Sequence, residues 1–185
     1  DTAEASTERL LADAVLDRLA VPRRILVGGL GLGVTLAELL TDVRVDRVDV
    51  VEIEPLLVRW LRSGLVPPVD AALADPRVHV TVTDIRDVLR DAVISTYDGV
   101  LLDVDNGPDF LVRPANAAVY RTASMRDVAR ALVPGGVLAM WSAARSSDLM
   151  TTMADEVGPC EEVVRTVERE GRPMTYHIHL ARRRT

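Results

Sequence analysis

Short apolar runs alternate with amphipathic segments along most of this chain. The runs are too short for helices and several are apolar on both faces, which is typical of strands in a parallel sheet covered on both sides. The chain then ends in two alternating segments joined by Glu170–Pro173, which predict a β-hairpin. The predicted strands are a first strand beginning near Arg24, then Val45–Ile53, Arg77–Thr83, Tyr97–Asp103, Val137–Ser142, Glu161–Glu168 and Met174–Arg182.

Helical periodicity fills most of the stretches between these strands. The predicted helices are Ser6–Ala20, Leu36–Leu40, Leu56–Leu65, Ile85–Ala92, Ala117–Leu132 and Asp148–Val157, with loops at Val66–Val69 and Pro134–Gly136. Strands that alternate with helices build a doubly wound α/β sheet. The fold prediction is therefore a Rossmann-like, seven-stranded, mostly parallel sheet with a C-terminal antiparallel hairpin, in a single domain over residues 1–185.

Composition narrows the function. The chain has 185 residues, is 48% hydrophobic and only 3% aromatic, and carries a net charge of −6. The chain has no block of basic residues of the kind that binds nucleic acid, and no apolar run in it is long enough to cross a membrane. The chain has no Lys, which excludes Schiff-base and P-loop lysines, and one Cys, which fits a reducing cytoplasm.

The first predicted strand runs into a glycine-rich turn. Gly28, Gly29, Gly31 and Gly33 fall within six positions, and a helical pattern follows directly. Glycine at such a turn allows a ligand to approach the backbone closely, and the next helix directs free N–H groups toward it. The spacing alone is a weak signal, but strand, glycine turn and helix together indicate a nucleotide-binding βαβ unit.

Acidic residues follow the other predicted strands. Glu52 stands at the end of the second, 19 residues after Gly33, where a carboxylate can accept both hydroxyls of a ribose. Asp84 closes the third strand and Asp103 the fourth, and Ser142 ends the fifth. Because the carboxyl ends of parallel strands meet at one edge of a sheet, we expect these side chains to converge on one ligand.

These motifs resemble a known family. The motifs follow one another in the order typical of the class I S-adenosylmethionine-dependent methyltransferase fold. They are Val27–Gly33, Glu52, Asp84, Tyr97–Asp103 and Leu132–Val137. More narrowly, they resemble the spermidine synthase (aminopropyltransferase) family and its shorter bacterial relatives. The resemblance implies a cytoplasmic transferase that uses S-adenosylmethionine or decarboxylated S-adenosylmethionine as co-substrate, without a metal.

The resemblance also implies roles for individual residues. Gly29, Gly31 and Gly33, with Gly28 before them, should lie under the amino-acid or aminopropyl part of the ligand. Glu52 should hold the ribose with Ile53 beside it. Asp84 should accept from the adenine amino group with Ile85 against the ring. Asp103 should stand beside the sulfonium and orient or deprotonate the acceptor amine.

The acceptor side is less well defined. A sulfonium is already activated, so the protein needs only to align a neutral amine and accept its proton. Asp103 suits that step, Asp105 is available as a second carboxylate that selects a cationic acceptor, and Tyr120 is a candidate for lining the acceptor pocket. The family has Asp-x-x-Asp here, whereas this chain has Asn106 at the second position. We also expect the family's N-terminal β-domain to be absent.

Three functions therefore stay open. The first is aminopropyl or methyl transfer to a small amine; the second is a small-molecule methyltransferase unrelated to polyamines; the third is a nucleotide-binding subunit without turnover. An intact donor would need a cation for its carboxylate, and Arg24 is the nearest in sequence to the glycine turn. Small-molecule acceptors are the expected partners, with a homodimer allowed and no nucleic acid or membrane.

Other polar residues are assigned ordinary roles. Asp103-Val104-Asp105 has the spacing of a metal-binding pair, but the fifth strand supplies no further oxygen ligands. His177 and His179 alternate on the last strand without evident co-ligands, and we expect both to be solvated or hydrogen-bonded. His79 is expected at the surface.

Overall fold

The computed structural model describes residues 6–64, 69–169 and 171–185, and its centre is a seven-stranded sheet. The strand order is β3-β2-β1-β4-β5-β7-β6. Strands β1 to β5 are mutually parallel, and β7 runs antiparallel to both β5 and β6. The predicted fold class is confirmed. The strands are β1 (Arg24–Gly28), β2 (Arg47–Glu52), β3 (Val78–Val82), β4 (Tyr97–Leu102), β5 (Leu132–Ser142), β6 (Cys160–Arg169) and β7 (Arg172–Arg182).

Helices cover both faces of the sheet. They are α1 (Ser6–Leu16), α2 (Val34–Thr41), α3 (Pro55–Arg62), α4 (Val69–Ala74), α5 (Ile85–Asp91), a 3-10 helix (Pro114–Tyr120), α6 (Thr122–Ala131) and α7 (Ser147–Glu156). Helix α4 was not predicted. The single helix predicted over Ala117–Leu132 was wrong, because Arg121 is extended (φ −85°, ψ 159°) and separates the 3-10 helix from α6. Most of the predicted loop at Val66–Val69, and Glu170 of the hairpin turn, lie outside the described residues.

Strand β5 starts five residues earlier than predicted. Pro134, Gly135 and Gly136 lie within it rather than in a turn before it. Opposite them the register shifts, from Tyr97 facing Leu132 to Gly99 facing Val137. The strand bulges at this point, and a Cβ on Gly136 would stand only 2.9 Å from the Asp98 carbonyl oxygen.

Two apolar layers enclose the sheet. Helices α1 and α2 pack on one face, where Leu11, Ile25 and Leu39 are fully buried. Helices α5, α6 and α7 cover the other face, where Leu89 and Met125 are buried. Aliphatic side chains make up most of both layers, in keeping with the low aromatic content, with Tyr97 and Tyr120 in the second. With both faces covered, the carboxyl edge of the parallel strands is left to bind a ligand.

Two of the three histidines behave as expected. His79 is exposed on β3, and His177 Nδ1 shares a hydrogen bond of 2.8 Å with Glu162 Oε1. The expectation for His179 was wrong. It is fully buried, and neither ring nitrogen has a hydrogen-bond partner within the described part of the chain. Burial is the main reason that the pKa of His179 is lowered, with the nearby Glu162 opposing that shift.

His179 should make stability fall in acid. Below its ordinary pKa of about 6.5, the unfolded chain binds a proton at this residue that the folded chain rejects, so the free energy of unfolding decreases as pH falls. The expected slope from this one proton approaches about 1.4 kcal/mol per pH unit. Urea unfolding of the wild type and of His179→Phe between pH 5 and 8 measures it.

The phenylalanine variant should have a flatter profile over that range, because it has no group to protonate. His79→Gln is the control, since it replaces an exposed histidine on β3. Glu162, His177 and Arg145 also face this region and stay in place in both variants. An unchanged acid slope in His179→Phe would show that another group sets the acid limit.

Candidate active site

The carboxyl ends of β1 to β4 enclose a cleft of about 200 Å³. The structure brings together seven of the residues predicted from the sequence, which line it: Gly29, Gly31, Glu52, Ile53, Asp84, Ile85 and Asp103. Sequence reasoning missed Leu57, Asn116 and Val119, which also line it. Leu57 belongs to α3, and the other two to the 3-10 helix. No pattern in the sequence marks them, because only the packing of these helices carries them to the cleft.

The glycine turn brings the ends of β1 and β4 together. Gly29 has φ +93°, and a Cβ there would stand 2.1 Å from the carbonyl oxygen of Asp103. Any side chain at this position would push the two strand ends apart. Gly31 has φ +50° and open space beside it on the cleft. Gly28 and Gly33 do not line the cleft: Gly28 makes room for Leu102 and Ile85, and Gly33 begins α2 in a left-handed conformation.

Backbone N–H groups hold the Glu52 carboxylate. The amide of Leu30, in the glycine turn, donates to Oε2 at 2.9 Å, and the amide of Glu54 donates to Oε1 at 2.8 Å. Each oxygen has a lone pair left over, because a carboxylate offers about four. Glu52 is buried and lines the cleft, so its free lone pairs suit a pair of hydroxyl groups.

Asp84 links the cleft to the first turn of α5. Its side chain caps the helix by accepting from the Arg86 amide at 2.9 Å. The Arg86 guanidinium also binds both carboxylate oxygens, and these hydrogen bonds are the main reason that the pKa of Asp84 is lowered. Ile85, the next residue, is buried against the Gly28 position. An ionised acceptor and an apolar surface therefore lie side by side.

Asp103 is the cleft residue with the most perturbed ionisation. Burial, followed by the negative charge of Glu8, raises its pKa to about 7. Near neutral pH this carboxyl can therefore both accept and release a proton. A perturbed carboxyl in a cleft is a common feature of catalytic sites.

Glu8 was not recognised from the sequence. Helix α1 runs antiparallel to β4, because Val15 lies against the Gly99 position near the start of that strand, whereas the charge of Glu8, earlier in the helix, acts on Asp103 just after its end. Seven residues back along α1 is about 10 Å and four residues forward along β4 about 13 Å, so Glu8 and Asp103 reach the same edge. Thr35, in the first turn after the glycines, donates to the Glu8 carbonyl at 3.2 Å.

Asp105 organises a loop. Its buried carboxylate accepts from the amides of Val112 (2.7 Å) and Asn106 (2.8 Å) and from the Asn116 side chain (2.7 Å). Burial alone would raise the pKa of Asp105, but these donors outweigh it and the pKa is lowered. About one acceptor position is left on this carboxylate, and Asp105 does not line the cleft. Glu8, rather than Asp105, is the acid whose negative charge helps to raise the pKa of Asp103.

Three other predicted residues lie away from the cleft lining. Tyr120 is buried beneath the loop, where burial and the charges of Asp105 and Asp103 raise its pKa. Ser142 is buried at the end of β5, and its hydroxyl donates to the Ala144 carbonyl at 2.6 Å. Arg24, the cation nearest in sequence to the glycine turn, lies at the amino end of β1, away from the cleft, and pairs with Asp49 at 2.9 Å.

The charges on the cleft wall all have one sign. Within the described residues, the ionisable side chains that line the cleft are Glu52, Asp84 and Asp103, and no basic residue is among them. No group of three or more His, Cys, Asp or Glu side chains in residues 6–64, 69–169 and 171–185 is arranged to hold a metal ion. In the same ranges, none of the helices is long and apolar enough to cross a membrane.

The fold defines the class to which this site belongs. The sheet order, the antiparallel β7 and the glycine turn after β1 are those of the class I methyltransferase-like fold. A crystal structure of spermidine synthase in complex with the transition state analogue AdoDATO superposes with a TM-score of 0.83 at 17% identity, covering 97% of this chain and 61% of that one. Spermidine synthase from Thermotoga maritima superposes with a TM-score of 0.78 at 16% identity, covering 97% and 60%.

The family is narrower than the fold. The family model of the spermine/spermidine synthase domain matches residues 4–169, so this chain belongs to that family. Polyamine aminopropyltransferase from Mycobacterium tuberculosis is 30% identical over 177 residues, 94% of this chain and 31% of the relative. Putrescine N-methyltransferase 3 from Nicotiana tabacum is 33% identical over 121 residues, 63% of this chain and 29% of the relative. The chain thus spans about a third of the length of these two relatives.

Proposed function

We propose that this chain transfers the aminopropyl group of decarboxylated S-adenosylmethionine to a small amine. One observation carries the choice of donor: the ionisable groups on the cleft wall are carboxylates, and Arg24 is remote. Decarboxylated donor carries an ammonium and a sulfonium but no carboxylate, so its charges complement such a wall. An intact donor would bring its carboxylate to an acidic site.

The residues have the chemistry that such a donor requires. Glu52 would accept the ribose hydroxyls, and Asp84 the adenine amino group beside Ile85. The glycine turn would let the donor chain approach the backbone, and Glu8 would face the ammonium. Polyamine aminopropyltransferase, the name of one relative, supports both the reaction and the kind of acceptor.

Asp103 would act on the acceptor. An amine attacks through its lone pair, so an acceptor that enters as an ammonium must lose a proton before the new C–N bond forms. That bond forms as the C–S bond of the sulfonium breaks. The C–S electron pair leaves with 5′-methylthioadenosine, and the proton passes to Asp103. The raised pKa of this carboxyl suits it to the transfer.

Methyl transfer to an amine is the second candidate. It is favoured by the similarity to putrescine N-methyltransferase 3, which shows that relatives with that activity share this stretch of sequence. The same acids would then orient the amine, with intact S-adenosylmethionine as donor. The two reactions therefore differ first in which donor binds.

A calorimetric titration with the two donors and 5′-methylthioadenosine tests the proposal. We expect the decarboxylated donor to bind at least tenfold more tightly than the intact one, because it avoids the repulsion between carboxylates. Tighter binding of the intact donor would replace aminopropyl by methyl transfer. Donor binding without product, when diamines and triamines are supplied, would identify a binding subunit. If none of the three ligands bound, the nucleoside assignments of Glu52 and Asp84 would be wrong.

A further inference from the structure

We propose that Arg86 is a positioning residue that makes the cleft selective for a base carrying an exocyclic amino group. The inference rests on the proposed function, in which Asp84 faces the base of the donor. Arg86 does not itself line the cleft; it acts through the carboxylate that does.

The first step is the geometry of the pair. Arg86 donates its amide to Asp84 Oδ1 at 2.9 Å and its Nε to both oxygens at 3.1 Å, and Nη2 donates to Oδ2 at 2.6 Å. A guanidinium that binds a carboxylate side-on fixes both its position and its plane. Because the backbone amide and the side chain of one residue make all these bonds, the carboxylate is tied to the first turn of α5.

The second step is a count of acceptor positions. An ionised carboxylate offers about four lone-pair positions, and three N–H groups of Arg86 already take up about three of those of Asp84. About one position is left for a ligand. Asp84 lines the cleft, so that position is available to a single donor there. An amino group on the base can donate to it, whereas a carbonyl oxygen at the same place would face a carboxylate oxygen.

The third step is charge. Hydrogen bonding to Arg86 is the largest contribution that lowers the pKa of Asp84, while burial opposes it. Arg86 therefore keeps the carboxylate ionised, and an acceptor only, when the solution becomes acidic. Without the guanidinium, Asp84 would become protonated more readily, and its O–H could then donate a hydrogen bond to a carbonyl oxygen on the base. Arg86 thus keeps Asp84 from binding a base with a carbonyl oxygen as well as it binds one with an amino group.

The test compares 5′-methylthioadenosine with 5′-methylthioinosine, which has a carbonyl oxygen in place of the amino group and a proton on the neighbouring ring nitrogen. We expect the wild type to prefer the adenine compound at least tenfold. Arg86→Gln should bind 5′-methylthioadenosine about five- to tenfold more weakly than the wild type does, and its preference for this compound over 5′-methylthioinosine should fall by a similar factor. The ratio of the two dissociation constants comes from one preparation, so it does not depend on the fraction of protein that is folded.

Two further variants sharpen the result. Arg86→Lys keeps the charge but loses the planar fork, and we expect it to resemble Arg86→Gln. Arg90→Gln removes another guanidinium from α5, one that pairs with Asp87 at 2.8 Å, and its ratio should equal that of the wild type. In Arg86→Gln, binding of the adenine compound should also begin to fail at a higher pH than in the wild type.

The outcomes separate this inference from the proposed function. An unchanged ratio in Arg86→Gln, or a wild-type ratio in Arg86→Lys, overturns the positioning role while donor binding stands. A wild type that binds both compounds equally overturns selection at Asp84 only. A wild type that binds neither overturns both proposals.

Discussion

Replacing Asp103 with Asn should lower turnover by a factor of about 10²–10⁴ while leaving the nucleoside affinity within about threefold, because a general base contributes to the rate on that scale. The amide cannot accept the proton of the attacking amine, yet it keeps the size of the carboxyl. Single-turnover rates with saturating donor give the first quantity, and calorimetry with 5′-methylthioadenosine gives the second. Asp109→Asn, an exposed acid of the same loop, is the control.

The pH profile identifies the same group independently. The pKa of Asp103 is raised to about 7, so its base form is lost as pH falls through that value, and the rate should fall with it. Glu8→Gln removes the negative charge that helps to raise this pKa, so the midpoint should move to lower pH. Asp103→Asn should show no step near pH 7. A step of unchanged midpoint in both variants would assign the titration to the acceptor or to another residue.

The fold followed from the sequence because the strands carry their own signal. Buried parallel strands are short apolar runs, and each strand of β1 to β4 has a glycine or an acid at its last residue or within two residues after it. The predicted bounds were wrong for the two elements whose ends depend on packing. Pro134–Gly136 has the composition of a turn but lies in a bulged stretch of β5. The apolar periodicity predicts one helix over Ala117–Leu132, but the extended Arg121 divides it into a 3-10 helix and α6.

The candidate site shows the same division. Glu52, Asp84 and Asp103 could be found because strand ends converge in any sheet of this type. Glu8 could not, since its place depends on the direction in which α1 crosses β4. Asp105 follows β4 as a second catalytic acid would, but its carboxylate binds three donors of its own loop and does not line the cleft. The sequence therefore predicts which acids converge at the ends of the strands, whereas only the structure shows which of them line the cleft and keep acceptor positions open.

Replacing Glu52 with Gln should weaken binding of 5′-methylthioadenosine about 30- to 100-fold, which corresponds to about 2–3 kcal/mol for hydrogen bonds to a charged acceptor. Two effects act together. The amide has one acceptor oxygen where the carboxylate has two, and its NH₂ group must face either the Leu30 or the Glu54 amide, both of which are donors. A neutral ligand is chosen so that loss of the negative charge does not itself change the attraction of a sulfonium.

The 2′-deoxy analogue separates a ribose contact from a general loss of structure. In the wild type it should bind about tenfold more weakly than 5′-methylthioadenosine, because one hydroxyl donor to Glu52 is missing. In Glu52→Gln the two ligands should bind almost equally, since the contact is already lost. Glu54→Gln is the control: its carboxylate pairs with Arg113 and is not part of the cleft wall, so it should keep the wild-type ratio. If Glu52→Gln still favoured the ribose ligand tenfold, the 2′-hydroxyl would have a different partner, and Glu52 would serve only to hold the glycine turn against the end of β2.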